Sequence, residues 1–255
     1  MSLLQTRQMV VDIPGRHDIE PLELNVYPGQ CWGVLGPNGA GKSTLLHTLG
    51  GLRAPRAGTI NLEGQPLGQH HRREIARRIA VLFQDSDSAF PATVREVALT
   101  GRHPWLGMWE PESAGDHARV DAALALMDLT GLDQRMTDTL SGGERQRLAM
   151  ATVLVQEPAL YLLDEPANHL DLHHQTRVLQ EIRKQVDQNQ RAAIMALHDI
   201  NMAARWCDHI LLMFRDGSLR AGRADECLQP EYLSRLYDHP VRLLHEGPHR
   251  LFIPD

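Results

Sequence analysis

An α/β fold with a mostly parallel central sheet, an antiparallel β side sheet and an inserted helical subdomain follows from three observations. First, four short apolar runs each end in polar residues: CWGVLG (Cys31 to Gly36), RIAVLFQ ending at Gln84, LYLLDE ending at Asp164 and Glu165, and AAIMALHD reaching His198. Helical patterns flank them, so they suit central strands covered on both faces. Second, no long apolar strand occurs between Gln84 and Ser141, whereas VREVALT and HARVDAALALMDLTGL carry apolar residues at helical spacing. Third, the N-terminal segment and GTINLEGQPL (Gly58 to Leu67) alternate like antiparallel strands around a Glu-Gly turn.

Taken in order, the elements predict where a site would form. TLLHTLGGL (Thr44 to Leu52) is a helix directly after the first strand, and GRHPWLGMWEPESAG (Gly101 to Gly115) is an ordered loop within the helical insert. After His198 the pattern gives a helix from Asp199 to Trp206, a strand pair around Arg215 to Ser218, and a short tail. The 255 residues form one domain, residues 1–255, with a core of about 1–84 and 158–255 around a helical subdomain of about 85–157. In open α/β sheets ligands bind beyond the carboxyl ends of strands, so the four polar strand ends converge on one edge.

The formal net charge of −6, without a dense Lys/Arg block, gives no support to nucleic acid or anionic lipid as a partner. Cys31, Cys207 and Cys227 are far apart in the chain and fit a reducing compartment better than a disulfide framework or a zinc site. No apolar run approaches the roughly 18 residues that cross a bilayer, and the N-terminal residues lack a signal-peptide layout. The pairs His70-His71 and His173-His174 lack the i, i+4 spacing of a metal site and suit a solvated surface. Trp105 and Trp109 suit core or loop anchors.

The chemistry lies in three motifs. GPNGAGKS (Gly36, Pro37, Asn38, Gly39, Ala40, Gly41, Lys42, Ser43), followed by Thr44, is a phosphate-binding loop between a strand and a helix. Its backbone N–H groups can face phosphate oxygens, Lys42 adds a point charge, and Ser43 offers a hydroxyl to Mg²⁺. LSGGERQR (Leu140 to Arg147) opens a helix with Ser141, Gly142 and Gly143, a second place for an anion. LYLLDEP (Leu160 to Pro166) puts Asp164 at a strand end, suited to Mg²⁺, with Glu165 beside it.

With these residues in place the chain resembles the nucleotide-binding subunit of an ABC transporter, along nearly its whole length. GPNGAGKST resembles Walker A, Gln84 the Q-loop glutamine, LSGGERQR the family signature, LYLLDEP Walker B with its glutamate, ANHLD (Ala167 to Asp171) the D-loop, and His198 the H-loop histidine. The resemblance implies a P-loop NTPase-like core that hydrolyses ATP with Mg²⁺. Two copies would pair head to tail, each signature covering the γ-phosphate held by the other's Walker A loop. Catalytic roles fall on Glu165, His198, Gln84 and Lys42. ATP contacts fall on residues 36–44, Ser141, Gly142, Gly143, Glu144 and Asp171, and the metal on Ser43, Gln84 and Asp164.

LTGRHPWLGMW (Leu99 to Trp109) is similar to the LxGRxPH segment of ATPases serving importers of iron–siderophore complexes, haem and cobalamin. HDINMAARWCDHILLM and LYDHPVRLL with LFIPD also resemble that subgroup. The implied partners are polytopic membrane permease subunits, a second copy of the chain and, indirectly, a periplasmic or extracellular substrate-binding protein. The implied location is the cytoplasmic face of the inner (plasma) membrane, as a peripheral subunit. Alternatives are another ABC importer or exporter class, or a soluble ABC-type regulatory switch. Phe90, Val94, Val97 and Trp105 are expected to border a groove for a permease helix. One departure stands out: QMVVDIPGRHD contains no aromatic residue to stack on adenine, and Val11 lies nearest the expected place, with Arg16 or His17 as other contacts.

Overall fold

The computed structural model describes residues 1–84, 91–247 and 249–255. Phe90 therefore lies outside the described residues. The chain begins with β1 (Leu4–Val10), β2 (Leu22–Val26) and β3 (Cys31–Leu35), followed by α1 (Lys42–Leu49), β4 (Ala57–Leu62) and β5 (Gln65–Pro66). Next come α2 (Arg72–Arg78), β6 (Ile79–Leu82), α3 (Val94–Leu99), α4 (Ala114–Leu126) and α5 (Gly142–Val155). β7 (Leu160–Asp164), α6 (Leu172–Asn189), β8 (Ala192–Ala196), α7 (Ile200–Trp206), β9 (His209–Met213) and β10 (Leu219–Arg223) complete the main sheet and its helices.

The main sheet has six strands in the order β10-β9-β3-β8-β7-β6, all parallel except β10, which pairs antiparallel with β9. Side chains alternate across a strand, and here both faces are covered. Tyr161, Leu163, Ala193 and Met195 enter one core with the helices of the insert, α6 and α7. Leu160, Leu162, Ala192 and Ile194 enter the other with α1 and the side sheet. That is why these strands are unbroken apolar runs.

The side sheet is antiparallel, ordered β2-β1-β4-β5. Its last reversal is the expected Glu-Gly turn, with Glu63 at φ 50° and Gly64 at φ 84°, the left-handed pair that two-residue hairpins favour.

The insert consists of α3, α4 and α5 and shares a core with one face of the main sheet. The Gly/Pro/Trp-rich loop between α3 and α4 is tied down by α2. Arg73 Nε and Arg77 Nε both donate to Pro104 O, at 2.8 and 2.7 Å. Trp105 Nε1 donates to Gln156 O at 2.9 Å, and the Arg77 and Arg102 guanidiniums stand over its ring. Trp105 is thus a loop anchor, whereas Trp109 is 92% exposed.

Two sequence expectations need correction. The region after β10 is not a short tail: α8 (Ala224–Cys227), α9 (Pro230–Tyr237) and a hairpin of β11 (Val241–Glu246) and β12 (His249–Pro254) follow. Asn201 fastens the hairpin to α7 by bonding both N and O of Phe252. His70 is not on a solvated surface either. Its side chain is 11% exposed and its Nε2 is buried without a hydrogen-bond partner among the described residues.

Candidate functional site

The carboxyl ends of β3, β7 and β8 and the start of α1 enclose a cavity of about 680 Å³ lined by residues 38–44, Gln84, Glu165, Asn168 and His198, with Ile13 at its side. Four stretches far apart in sequence meet there because parallel strands end at the same edge. Gly41, at φ 98°, turns the chain into α1, and a Cβ there would lie 2.2 Å from Ile13 Cδ1. Only glycine meets both demands.

Lys42 is buried, and its Nζ donates to Gly36 O at 2.8 Å and Pro37 O at 3.4 Å. Burial lowers its pKa, opposed by the charges of Glu165 and Asp164. Asp164 is 2% exposed, and neither carboxylate oxygen has a hydrogen-bond partner among the described residues. Burial lifts its pKa, tempered by the nearby Ser43 hydroxyl. Two orphaned hard oxygens beside a serine hydroxyl suit Mg²⁺, which takes oxygen ligands and keeps several waters. The described residues contain no cluster of three or more His, Cys, Asp or Glu side chains able to form an all-protein metal cage.

Glu165 has a left-handed backbone at φ 50° and a side chain gripped from two directions. Asn168 Nδ2 donates to Oε2 at 2.8 Å, and His198 Nε2 lies against Oε1. Such a carboxylate is presented in one orientation to whatever occupies the cavity. Gln84 is exposed at the cavity's edge.

The other expected anion contacts lie elsewhere. Ser141 caps α5: its Oγ accepts from Glu144 N at 3.2 Å, while Glu144 Oε2 accepts from Ser141 N at 2.7 Å. The Ser141 hydroxyl proton and the first-turn amides of Gly142 and Gly143, which have no intrahelical acceptor, are the donors suited to an anion. Asp171 caps α6, accepting from His174 N at 2.9 Å, with His174 Nδ1 also at 2.9 Å. These hydrogen bonds, chiefly the backbone one, lower its pKa. None of Ser141, Gly142, Gly143, Glu144 or Asp171 is among the described residues lining the cavity.

Val11, the expected neighbour of adenine, is 1% exposed and belongs to the side-sheet core; Ile13 is the residue beside the loop. Arg16 donates to Ala40 O at 3.3 Å and so braces the loop's backbone. Sequence reasoning also missed Asn168 and Gln146. The one available signal was a polar side chain in a core phase of α5, where Gln146 precedes the buried Met150.

A family model described as ABC transporter matches residues 19–168. The chain belongs to the ABC transporter family. Among ABC relatives, the chain is 38% identical over 246 residues to the hemin import ATP-binding protein HmuV of Nocardia farcinica, covering 94% of this chain and 84% of that one. It is also 38% identical over 232 residues to the cobalamin import ATP-binding protein BtuD of Halobacterium salinarum, covering 91% of this chain. That match spans 58% of the Halobacterium protein's length. A solved structure described as an inward-facing metal-chelate type ABC transporter superposes with a TM-score of 0.85 at 25% identity, covering 100% of this chain and 98% of that one.

Proposed function

We propose that this chain is the ATP-hydrolysing subunit of an ABC importer for a metal chelate of the haem, cobalamin or iron–siderophore type. The observation that carries the ATPase reading is Glu165, held by Asn168 and His198 at a cavity whose loop presents Lys42 and whose β7 end presents Asp164. Residues 36–44 cradle the phosphates, and Lys42 turns from its own loop carbonyls to the phosphate oxygens. Ser43, Asp164 and Gln84 would hold Mg²⁺, which when bound would draw charge off those oxygens. Glu165 orients the attacking water and takes up its proton, while His198 contacts the γ-phosphate and steadies Glu165. Positioning and charge stabilisation supply the acceleration, as in other phosphoryl transfers.

The second half of each site comes from another copy, through Ser141, Gly142 and Gly143 of its α5, with Glu144 holding the cap and Asp171 close to the contact. Adenine rests against aliphatic Ile13, a looser grip than aromatic stacking. The chain sits on the cytoplasmic face of the inner membrane beside polytopic permease subunits; among its described residues no helix is long and apolar enough to cross a membrane. The names of the hemin and cobalamin relatives and the metal-chelate structure support the cargo class. The test is ATP hydrolysis by the reconstituted complex with binding proteins loaded with haem, cobalamin or a ferric siderophore. One of them raises turnover; stimulation by none of the three overturns the cargo assignment.

A further inference from the structure

Gln146 connects the signature helix to the carboxylate at the heart of the site. It is 7% exposed, in a phase of α5 otherwise filled by Met150 and Leu154. Its Nε2 donates to two successive carbonyls, Glu165 O and Pro166 O, both at 3.2 Å. The turn it holds is one the chain does not favour, since Glu165 carries a Cβ at φ 50°. Pro166 has no N–H, so the carbonyls are the main backbone handles on the downstream side. On the upstream side Glu165 N donates to Ala196 O at 3.2 Å, and across the turn Asn168 N donates to Glu165 O at 3.0 Å. β8 therefore holds the peptide that enters Glu165, and α5 holds the two peptides that follow it.

We propose that Gln146 is a positioning residue for Glu165: it fixes the left-handed turn from which the carboxylate reaches Asn168 and His198. The role rests on Glu165 being the water-orienting base. It also gives α5 two tasks. Its first turn offers donors to an anion, and one turn further on the same helix holds the base of its own cavity, so a displacement of α5 is transmitted directly to Glu165.

The test uses the full chain with Gln146→Met, which keeps the length and removes both donated hydrogen bonds, and Gln146→Glu, which keeps the shape. Three quantities are read: steady-state hydrolysis with Mg²⁺ and ATP, the thermal midpoint, and amide hydrogen exchange of residues 165–169 without nucleotide. We expect kcat to fall by about tenfold or more with KM for ATP changed less than about twofold. Exchange at the Asn168 amide should rise by about tenfold while the thermal midpoint stays near that of the parent. In the Glu165→Gln background, Gln146→Met should add less than about a further twofold.

Unchanged kcat, with or without faster exchange, overturns the proposal. So does a loss carried by KM or by unfolding in both variants, or a full multiplicative loss in the double variant. Failure of the underlying reading has a different signature: near-normal turnover in Glu165→Gln alone removes Glu165 as the base, and the positioning role falls with it.

Discussion

Glu165 combines a disfavoured backbone with two side-chain partners, a pattern expected where orientation matters more than local stability. Glu165→Gln should lower turnover by about 10²–10⁴-fold, because the amide is no base, yet retain ATP, because residues 36–44 are untouched. Lys42→Ala should instead weaken ATP binding, since it removes the ammonium buried within the loop. Steady-state rates and filter-bound nucleotide separate the two, and near-normal turnover in Glu165→Gln would remove its assigned role. Much of this residue pattern was legible, because phosphate chemistry demands glycines, a lysine and a hydroxyl within eight consecutive positions. Gln146, Asn168 and Ile13 were not, since their importance lies in partners 20, 3 and 28 positions away that only folding defines. Val11 was misjudged for the same reason: beyond β1 the chain leaves the regular strand, and only the fold shows that Ile13, not Val11, borders the cavity.

At the scale of elements, apolar runs identified the four strands because both faces of a parallel sheet are covered. The region after β10 escaped because α8 has four residues and α9 eight, too few for a clear helical period. The insert shows what holds a short helical element in place. Arg102 Nε donates to Asp116 Oδ1 at 2.7 Å, both side chains being 8% exposed, while Asp116 Oδ2 accepts from Ser113 N at 2.9 Å and from its hydroxyl. The Ser113 hydrogen bonds first, and then Arg102, hold the Asp116 carboxyl well below the usual carboxylate range. Its charged form therefore stabilises the fold above the unfolded-state pKa of about 3.9, and that contribution is lost as pH falls towards the folded-state value. Asp116→Asn removes the nearer of two carboxylates at Arg102, with Glu157 Oε2 remaining at 3.2 Å, and should cost about 2 kcal/mol at pH 7. The stability gap between parent and variant, measured by urea unfolding, should hold from pH 7 to about 5 and narrow below about 4. A gap that widens in acid would contradict the assignment.

At the scale of the molecule, the proposed function makes the cavity and the signature turn of one chain halves of two ATP sites, so assembly should follow nucleotide. With Glu165→Gln to prevent turnover, sedimentation should show monomers without nucleotide and dimers with Mg²⁺ and ATP; a monomer with ATP shown to be bound would count against the head-to-tail pair. A permease helix would meet a different face. Val94 is fully buried, Trp105 is bonded to Gln156 O just after α5, and Phe90 lies outside the described residues. What remains is a groove of about 280 Å³ between the end of β6 and α5, lined by Phe83, Val97, Leu148, Ala149 and Val153 and adjoining Gln84 in sequence. An apolar groove of this kind suits the apolar face of a short helix. Phe83 is 42% exposed and its ring meets His47 at 5.2 Å, one turn beyond Ser43, so pressure in the groove would reach the phosphate-loop helix. Ala149→Glu places a charge on the partly exposed wall of α5 at a position where glutamate is helix-compatible. It should reduce copurification with the permease by about tenfold or more, while the isolated chain keeps its thermal midpoint and ATP binding. Retained assembly would refute the groove as the docking site, and loss of folding would show that Ala149 belongs to the packing of α5.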